Sequence, residues 1–130
     1  LRQRNLIHRD LKPQNLLLSS PYPQGTLKIG DFGFARYMQQ QDLAETLCGS
    51  PLYMAPELVQ EKPYKETVDL WSLGVILFEL YKGEPPFYTN NIYSLIQLII
   101  KDKVKYPSGM SRSFKDFLQV RTVASLCYSA

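Results

Sequence analysis

The chain has 130 residues, of which 45% are hydrophobic and 21% charged, and its formal net charge is +3. This composition predicts one small globular domain, and the mixing of basic with acidic residues gives no basic face of the kind that binds nucleic acid. No apolar run approaches the ~20 residues of a membrane span, so no membrane insertion is predicted. Only Cys48 and Cys127 are present, which is too few for a disulfide framework and favours a reducing cytoplasmic location.

Residues 6–18 form the first segment whose side chains suggest catalysis or ligand binding. Their sequence is Leu-Ile-His-Arg-Asp-Leu-Lys-Pro-Gln-Asn-Leu-Leu-Leu. Residues 1–5 are expected to be the last turn of a helix that begins upstream. The polar residues predict a loop, and the leucines after it predict a short buried strand. On the loop, Asp10 is placed to accept a proton from a hydroxyl, and Asn15 can offer an amide oxygen to a hard cation such as Mg²⁺. Lys12 supplies a positive charge between them.

Two apolar runs, Leu16–Leu18 and Leu27–Ile29, flank a connection rich in Ser, Pro and Gly, which predicts a hairpin. Asp31 follows the second run directly, in the sequence Asp-Phe-Gly, where Gly33 can take backbone conformations closed to other residues. A second oxygen ligand shortly after Asn15 is what a nucleotide-bound magnesium pair needs.

Residues 34–46 are polar and show neither helical nor strand periodicity, which predicts a mobile surface loop. Thr67–Lys82 is the strongest helix, with Thr67 as its N-cap, Asp69 in its first turn and Gly83 just past its end. Because apolar residues cover it almost all round, this helix should run through the core, and it is too short and too charged to span a membrane.

Two amphipathic helices follow. Residues 91–101 place Ile92, Leu95, Ile96 and Ile99 on one face, and residues 112–120 begin a helix with Phe114, Phe117 and Leu118 on its apolar face. The predicted fold class is therefore α+β, mainly α, without an internal repeat or a domain linker.

The motifs, taken in chain order, resemble those of protein kinases. His8-Arg-Asp-Leu-Lys-Pro-Gln-Asn15 resembles the catalytic loop, of the serine/threonine type because Lys-Pro follows the Asp. Asp31-Phe-Gly resembles the magnesium-binding motif, and Ala55-Pro-Glu57 resembles the end of the activation segment. The resemblance covers residues 1–119 and implies part of a kinase C-terminal lobe, whereas residues 120–130 diverge from the family.

The resemblance implies a serine/threonine kinase with ATP and Mg²⁺ as cofactors and proteins as substrates. Asp10 would be the catalytic base, Lys12 would contact the transferred phosphate, and Asn15 and Asp31 would hold magnesium. Leu17 would form the floor beneath the adenine.

A regulatory site is also implied by the resemblance. Thr46 occupies a position that is phosphorylated in many kinases of this type, with Arg9 and Arg36 placed to receive the phosphate. Alternatively, Thr46 is an exposed loop threonine without a regulatory role. Ser50 resembles the hydroxyl residue that bridges the catalytic Asp and Lys and helps to set a Ser/Thr preference; the alternative is a turn residue before a proline.

Three structural roles follow from the same resemblance. Asp69 would hold the backbone of the His-Arg-Asp loop. His8 and Phe32 would form part of a packed hydrophobic column, so His8 is expected to pack rather than to catalyse. Glu57 would lack the arginine that pairs with it in kinases, because the chain diverges after Gln119.

Residues 28–36 and 46–57 resemble the autophagy-initiating Unc-51-like kinases, and residues 85–90 and 101–107 resemble the related Fused kinases. The joint group implies a cytoplasmic kinase in autophagy-type signalling. No Gly-rich loop or ATP-pairing lysine precedes residue 1, so residues 1–130 are expected to be a fragment without the N-terminal lobe and inactive alone. The alternative is a truncated, non-catalytic binding module.

Overall fold

The computed structural model describes residues 1–4, 6–33, 36–37 and 51–123, and it gives only the backbone for residues 2, 36–37 and 120–123. The elements are, in chain order, β1 (Leu6–Ile7), β2 (Leu16–Leu18), β3 (Leu27–Ile29), β4 (Arg36–Tyr37), α1 (Pro56–Val59), α2 (Thr67–Lys82), α3 (Ile92–Lys101) and α4 (Arg112–Val123). Short 3-10 turns lie at Arg2–Arg4, Pro13–Asn15 and Pro51–Tyr53. The described residues are thus mainly helical with two small sheets, which agrees with the predicted fold class, α+β and mainly α.

Strands β2 and β3 form the predicted antiparallel hairpin. Their register pairs Leu16 with Ile29, Leu17 with Lys28, and Leu18 with Leu27. The prediction of a buried leucine strand is wrong, because Leu17 and Leu18 are 54% and 57% exposed. Of the three leucines, only Leu16 packs against the core. Burial of a strand needs a second layer of structure, and none of the described elements covers these two side chains.

Strand β4 pairs antiparallel with β1, so that Ile7 lies opposite Arg36 and Leu6 opposite Tyr37. It falls within the segment predicted to be an irregular loop, and that prediction is wrong for residues 36–37. A two-residue strand has no periodicity to detect, since it exists only through pairing with a distant partner. Residues 34–35 and 38–46 lie outside the described part of the chain.

Helix α2 has the predicted bounds and supplies much of the core. Its buried residues are Val68, Trp71, Ser72, Gly74, Val75, Ile76 and Phe78. Burial is not continuous around the helix, because Leu80 and Tyr81 in the last turn are 73% and 47% exposed. Gly83 ends the helix in the left-handed conformation, with its N–H donating to the carbonyl of Glu79 at 2.7 Å.

The N-cap of α2 is Glu66, not Thr67, which is the first helical residue. No side chain caps this end. Instead, the backbone N–H groups of Val68 and Asp69 donate to the carbonyls of Lys65 and Glu66, both at 3.2 Å. Because tight backbone bonds satisfy these donors, the helix begins without a hydroxyl cap.

Helix α4 packs against α2, whereas α3 packs against α1 and the turn at Pro51–Tyr53. Asn91 caps α3 by accepting the N–H of Ser94 at 3.0 Å, and Leu95 and Ile99 are buried, whereas Ile92 is 41% exposed. The Ser111 hydroxyl accepts the N–H of Phe114 at the start of α4. This helix ends at Val123, three residues beyond the predicted segment 112–120.

The core has two neighbouring clusters. The larger one surrounds α2 and contains Ile7, Leu11, Tyr53, Met54, Ala55, Leu58, Val59, Val68, Trp71, Val75, Ile76, Phe87, Leu95 and Ile99. The smaller one contains Phe78, Met110 and Leu118, and it joins α2 to α4. Among the described residues, no helix combines the length and the apolarity that crossing a membrane would require.

We expect Leu118→Ala to lower the free energy of unfolding by about 2–5 kcal/mol, because this side chain is only 1% exposed and its truncation leaves a cavity between α2 and α4. Leu80→Ala is the matched control, since Leu80 is 73% exposed, and its effect should stay within about 0.5 kcal/mol. Urea unfolding measures both. Equal effects of the two variants would contradict the described packing of α4.

Candidate active site

The loop of residues 8–15 is attached to the core by one carboxylate. Asp69, in the first turn of α2, accepts the backbone N–H of His8 on Oδ2 at 2.8 Å and the backbone N–H of Arg9 on Oδ1 at 2.9 Å. Arg9 has a φ of 68°, a left-handed conformation that aims both N–H groups at the same partner. Burial raises the pKa of Asp69, and the two N–H donors offset part of that rise. The contact predicted for Asp69 is present.

His8 connects the same loop to the hairpin. It is fully buried, and its Nδ1 lies 3.2 Å from the backbone N–H of Asp10 while its Nε2 lies 3.0 Å from the carbonyl of Gly30. The first contact needs a lone pair on Nδ1 and the second needs a proton on Nε2, so the geometry selects the neutral Nε2–H tautomer. The ring of Phe32 meets His8 edge-on at 4.8 Å. These contacts agree with the packing role predicted for His8.

Three polar side chains of the loop meet at one oxygen atom. Oδ2 of Asp10 lies 3.2 Å from Nζ of Lys12 and 3.3 Å from Nδ2 of Asn15. Nδ2 of Asn15 also donates to the carbonyl of Asp10 at 2.8 Å. Since both neighbours of this nitrogen are acceptors, the amide orientation is determined, and Oδ1 of Asn15 is the atom that points away from Asp10.

The hairpin joins the backbone just before Asp31 to the backbone of Asn15. The N–H of Gly30 donates to the carbonyl of Asn15 at 2.8 Å, which continues the register of β2 and β3 by one residue and places Asp31 immediately after the pair. Asp31 is exposed and has a φ of 51°. Its Oδ1 accepts the N–H of Gly33 at 3.3 Å, and a Cβ at residue 33 would lie 3.1 Å from that oxygen. Glycine therefore allows this close turn.

The oxygen atoms of Asn15 and Asp31 fit a magnesium ion chemically. Magnesium prefers hard oxygen ligands and is commonly held by one or two protein side chains together with phosphate oxygens and water. No group of three or more His, Cys, Asp or Glu side chains suited to a metal occurs within the described residues. A magnesium site built on Asn15 and Asp31 would take its other ligands from phosphate oxygens or water. Leu17 lies on the strand that follows Asn15 and is half exposed.

Of the predicted regulatory and substrate residues, only Arg9 has a described side chain. Thr46 and Ser50 lie outside the described residues, and Arg36 is described only by its backbone in β4. Arg9 is 4% exposed, and its Nη1 donates to the hydroxyl of Tyr64 at 2.8 Å. Sequence reasoning missed Tyr64, because a contact across 55 positions leaves no local pattern.

Sequence reasoning also missed how the turn after residue 50 is anchored. The Tyr53 hydroxyl donates to Oε2 of Glu79 at 2.7 Å, and the Ser72 hydroxyl donates to the carbonyl of Tyr53 at 2.7 Å. Burial raises the pKa of the Tyr53 phenol, and the neighbouring Glu79 raises it further. Helix α2 therefore holds this turn as well as the loop of residues 8–15.

Glu57, in α1, has a buried Oε2 without a hydrogen-bond partner among the described residues. Burial raises the pKa of this carboxyl, and a backbone hydrogen bond offsets part of the rise. Whether Glu57 has a partner outside the described residues stays a prediction.

Comparison with known proteins decides the family. The chain matches the family described as the protein kinase domain over residues 1–123. The chain belongs to the protein kinase family. The predicted resemblance is thereby confirmed, including its serine/threonine type, because the similar relatives are named as serine/threonine-protein kinases.

Three relatives illustrate the similarity. The chain is 56% identical over 120 residues to serine/threonine-protein kinase TIO of Arabidopsis thaliana and 52% identical over 120 residues to serine/threonine-protein kinase 36 of Mus musculus, and each match covers 92% of this chain and 9% of the relative. It is 47% identical over 118 residues to serine/threonine-protein kinase atg1 of Dictyostelium discoideum, which covers 91% of this chain and 18% of the relative. The chain thus spans less than a fifth of these kinases.

Replacing Asp69 by Asn should destabilise the loop specifically. Asn keeps one acceptor oxygen and turns an NH₂ group toward the second backbone N–H, so we expect the free energy of unfolding to fall by about 1–3 kcal/mol. Amide hydrogen exchange at His8 and Arg9 should become faster. The control is Asp102→Asn, at the exposed end of α3. Unchanged exchange at both amides would contradict the anchoring role.

Replacing Glu57 by Gln should stabilise residues 1–130 at neutral pH. Because the folded-state pKa is raised, the folded state favours the protonated carboxyl, and stability is lost as the pH rises through and above the ordinary value of 4.5. Gln removes this loss, so the free energy of unfolding of the variant should exceed that of the wild type at pH 7 and equal it near pH 4. Urea unfolding across this range tests it, with the exposed Glu61→Gln as control. A variant less stable at pH 7 would indicate a cation paired with Glu57.

Proposed function

We propose that the chain carries the catalytic loop and the metal-binding aspartate of a serine/threonine protein kinase that transfers the γ-phosphate of ATP to hydroxyl groups of protein substrates. The observation that carries this proposal is the convergence of Lys12 and Asn15 on Asp10. Asp31 follows Gly30, whose N–H donates to the carbonyl of Asn15 at 2.8 Å. Membership of the kinase family supports it. We further propose that the described residues are the C-terminal lobe of the kinase domain.

Asp10 is proposed as the base that orients and deprotonates the substrate hydroxyl. Its Oδ2 is engaged by Lys12 and Asn15, whereas its Oδ1 makes no hydrogen bond or ion pair within the described part of the chain. Oδ1 is therefore the atom we assign to the incoming hydroxyl. The side chain of Asp10 is 15% exposed, which leaves a narrow approach from solvent.

Lys12 is proposed to contact the transferred phosphate. Its ammonium has three N–H donors, and its side chain is 28% exposed while one donor faces Asp10. The same group can therefore hold the base in position and neutralise negative charge on the phosphate during transfer.

Asn15 and Asp31 are proposed to hold Mg²⁺ through Oδ1 of the amide and the exposed carboxylate. A bound magnesium ion supplies charge neutralisation at the phosphates. The hydrogen bonds from Nδ2 of Asn15 to Asp10 position the amide before any ligand arrives. The exposed side chain of Leu17 offers apolar surface for the adenine.

Regulation is proposed to act through phosphate on Thr46, with Arg9 and Arg36 as its receivers and Ser50 near the substrate. Arg9 directly precedes Asp10, so a phosphate bound by Arg9 would be coupled to the loop that carries the proposed base. We also propose a cytoplasmic location and a role in autophagy-type signalling within the joint Unc-51-like and Fused group; the relatives named atg1 support the group.

The exposed apolar side chains of the hairpin favour a second candidate for residues 1–130 by themselves. Leu17, Leu18, Leu27 and Phe32 are each more than 40% exposed. Such a patch suits a surface that other protein covers. In this candidate, residues 1–130 bind a partner and do not transfer phosphate.

Asp10→Asn keeps the size of the side chain but removes the basic carboxylate, so phosphate transfer should fall by about 100-fold or more. The measurement is turnover on a generic protein substrate by the full-length polypeptide that carries these residues. Asp102→Asn, on the exposed end of α3, is the control and should retain wild-type turnover. Near-normal turnover of a folded Asp10→Asn variant would exclude Asp10 as the base. Absence of transfer by the wild type would favour the binding module.

A further inference from the structure

Residues 101–115 carry an excess of positive charge that the rest of the chain does not share. They contain five basic residues and one acidic residue, whereas the other 115 residues contain ten basic and eleven acidic ones. None of the five makes an ion pair within the described part of the chain, and all five are exposed. They are Lys101, Lys103, Lys105, Arg112 and Lys115. These charges are therefore open to an anionic partner.

The connection between α3 and α4 begins as an extended segment. Asp102, at the end of α3, has a φ of −87° and a ψ of 151°, and Tyr106 precedes a proline, which favours extended backbone there. Between them, Lys103 and Lys105 are exposed, whereas Val104 and Tyr106 are partly buried. This alternation is that of an extended chain with one face on the core, so the two lysines point toward solvent on the same side.

The hydrophobic core fixes the inner face of this segment. Val104 packs against both core clusters, and the ring of Tyr106 meets the ring of Phe78 edge-on at 6.1 Å. Nζ of Lys115 lies 5.5 Å from the centre of the Tyr106 ring, which brings a cation of α4 next to the segment. Because its side chains hold it, the backbone is in position before a partner binds, and less conformational freedom is lost on binding.

The backbone of residues 103–106 makes no hydrogen bond within the described part of the chain. The N–H of Asp102 still donates to the carbonyl of Leu98, and the next backbone bond along the chain runs from the N–H of Met110 to the carbonyl of Pro107. In an extended chain, the N–H and C=O groups of alternate residues face the same edge. An exposed edge of this kind can accept another strand through main-chain hydrogen bonds.

We propose that residues 103–106 bind an acidic segment of a partner protein, which adds as a strand along this edge and presents its carboxylates to Lys103 and Lys105. Alternate side chains of a strand lie about 7 Å apart, so acidic residues at every second position match the two lysines. A second copy of this chain fits poorly, because pairing two such edges would place lysine opposite lysine. The proposal does not depend on phosphate transfer.

The test uses a fluorescently labelled peptide of eight residues, in which glutamate alternates with threonine, and the full-length polypeptide that carries residues 1–130. Fluorescence anisotropy should show saturable binding that weakens as salt is raised. The double variant Lys103→Glu with Lys105→Glu should bind roughly tenfold more weakly, since it loses two exposed ion pairs and gains repulsion. The control is Lys28→Glu with Lys62→Glu, which makes the same change of charge at two other exposed positions and should bind like the wild type.

A second peptide separates strand addition from attraction by charge alone. It has the same side chains but is N-methylated at every peptide bond, so it keeps its charge and loses its backbone donors. We expect it to bind at least tenfold more weakly than the unmodified peptide, because several hydrogen bonds are lost. Binding of the unmodified peptide should also slow amide hydrogen exchange of residues 103–106 several-fold.

Three outcomes would overturn the inference. The first is the absence of saturable binding of the acidic peptide. The second is equal binding of the methylated and unmodified peptides with unchanged exchange of residues 103–106, which would show attraction by charge alone. The third is tighter binding of phosphatidylserine vesicles or of single-stranded DNA than of the peptide, lost in the same double variant, which would assign the basic residues to a lipid surface or a nucleic acid.

Melting of each variant monitors folding. Should the double variant fail to fold, Lys105→Gln provides the same test with a smaller change, because it removes one charge without reversing it. This variant should weaken binding of the acidic peptide a few-fold, whereas Lys62→Gln should leave it unchanged. Wild-type affinity of a folded Lys105→Gln variant would contradict the proposed contact.

Discussion

The buried carboxylate of Asp69 is the interaction on which the site depends. It is placed in the first turn of α2, where the positive end of the helix dipole favours negative charge, and it accepts two adjacent backbone N–H groups of the loop. The loop has no regular structure of its own to define its path. The position of the loop is therefore set by helix α2, whose other contacts are mostly with the hydrophobic core.

The remaining polar contacts of the site divide into two kinds. His8 and the amide nitrogen of Asn15 bond to protein groups and make the loop rigid. The outward oxygen atoms of Asp10, Asn15 and Asp31 remain directed toward substrate, nucleotide and metal in the proposed mechanism. Internal bonds thus set the position of each group before a ligand binds, which reduces the reorganisation that phosphate transfer would otherwise require.

The sequence predicts those features that depend on local pattern. The bounds of α2 follow from its apolar run and from Gly83, and the hairpin follows from two apolar runs around a turn. Features that depend on distant contacts were missed or predicted wrongly. Examples are the exposure of Leu17, the pairing of β4 and the contact of Tyr64, because the residues near each of them in the sequence do not determine it. For the site, sequence order identifies candidate residues, and the structure brings Asp10, Lys12 and Asn15 together, while the roles of all the candidates, including Thr46 and Ser50, stay predictions.

Helix α2 also sets a distance between two parts of the site. Asp69 holds the loop, and Glu79 holds the turn at Pro51–Tyr53 through the Tyr53 hydroxyl. These two attachment points are ten residues apart on one helix, which corresponds to about 15 Å along its axis. Adding or deleting one residue between them would rotate one anchor by about 100° relative to the other. The number of residues between Asp69 and Glu79 is therefore constrained as strictly as the identity of these two residues.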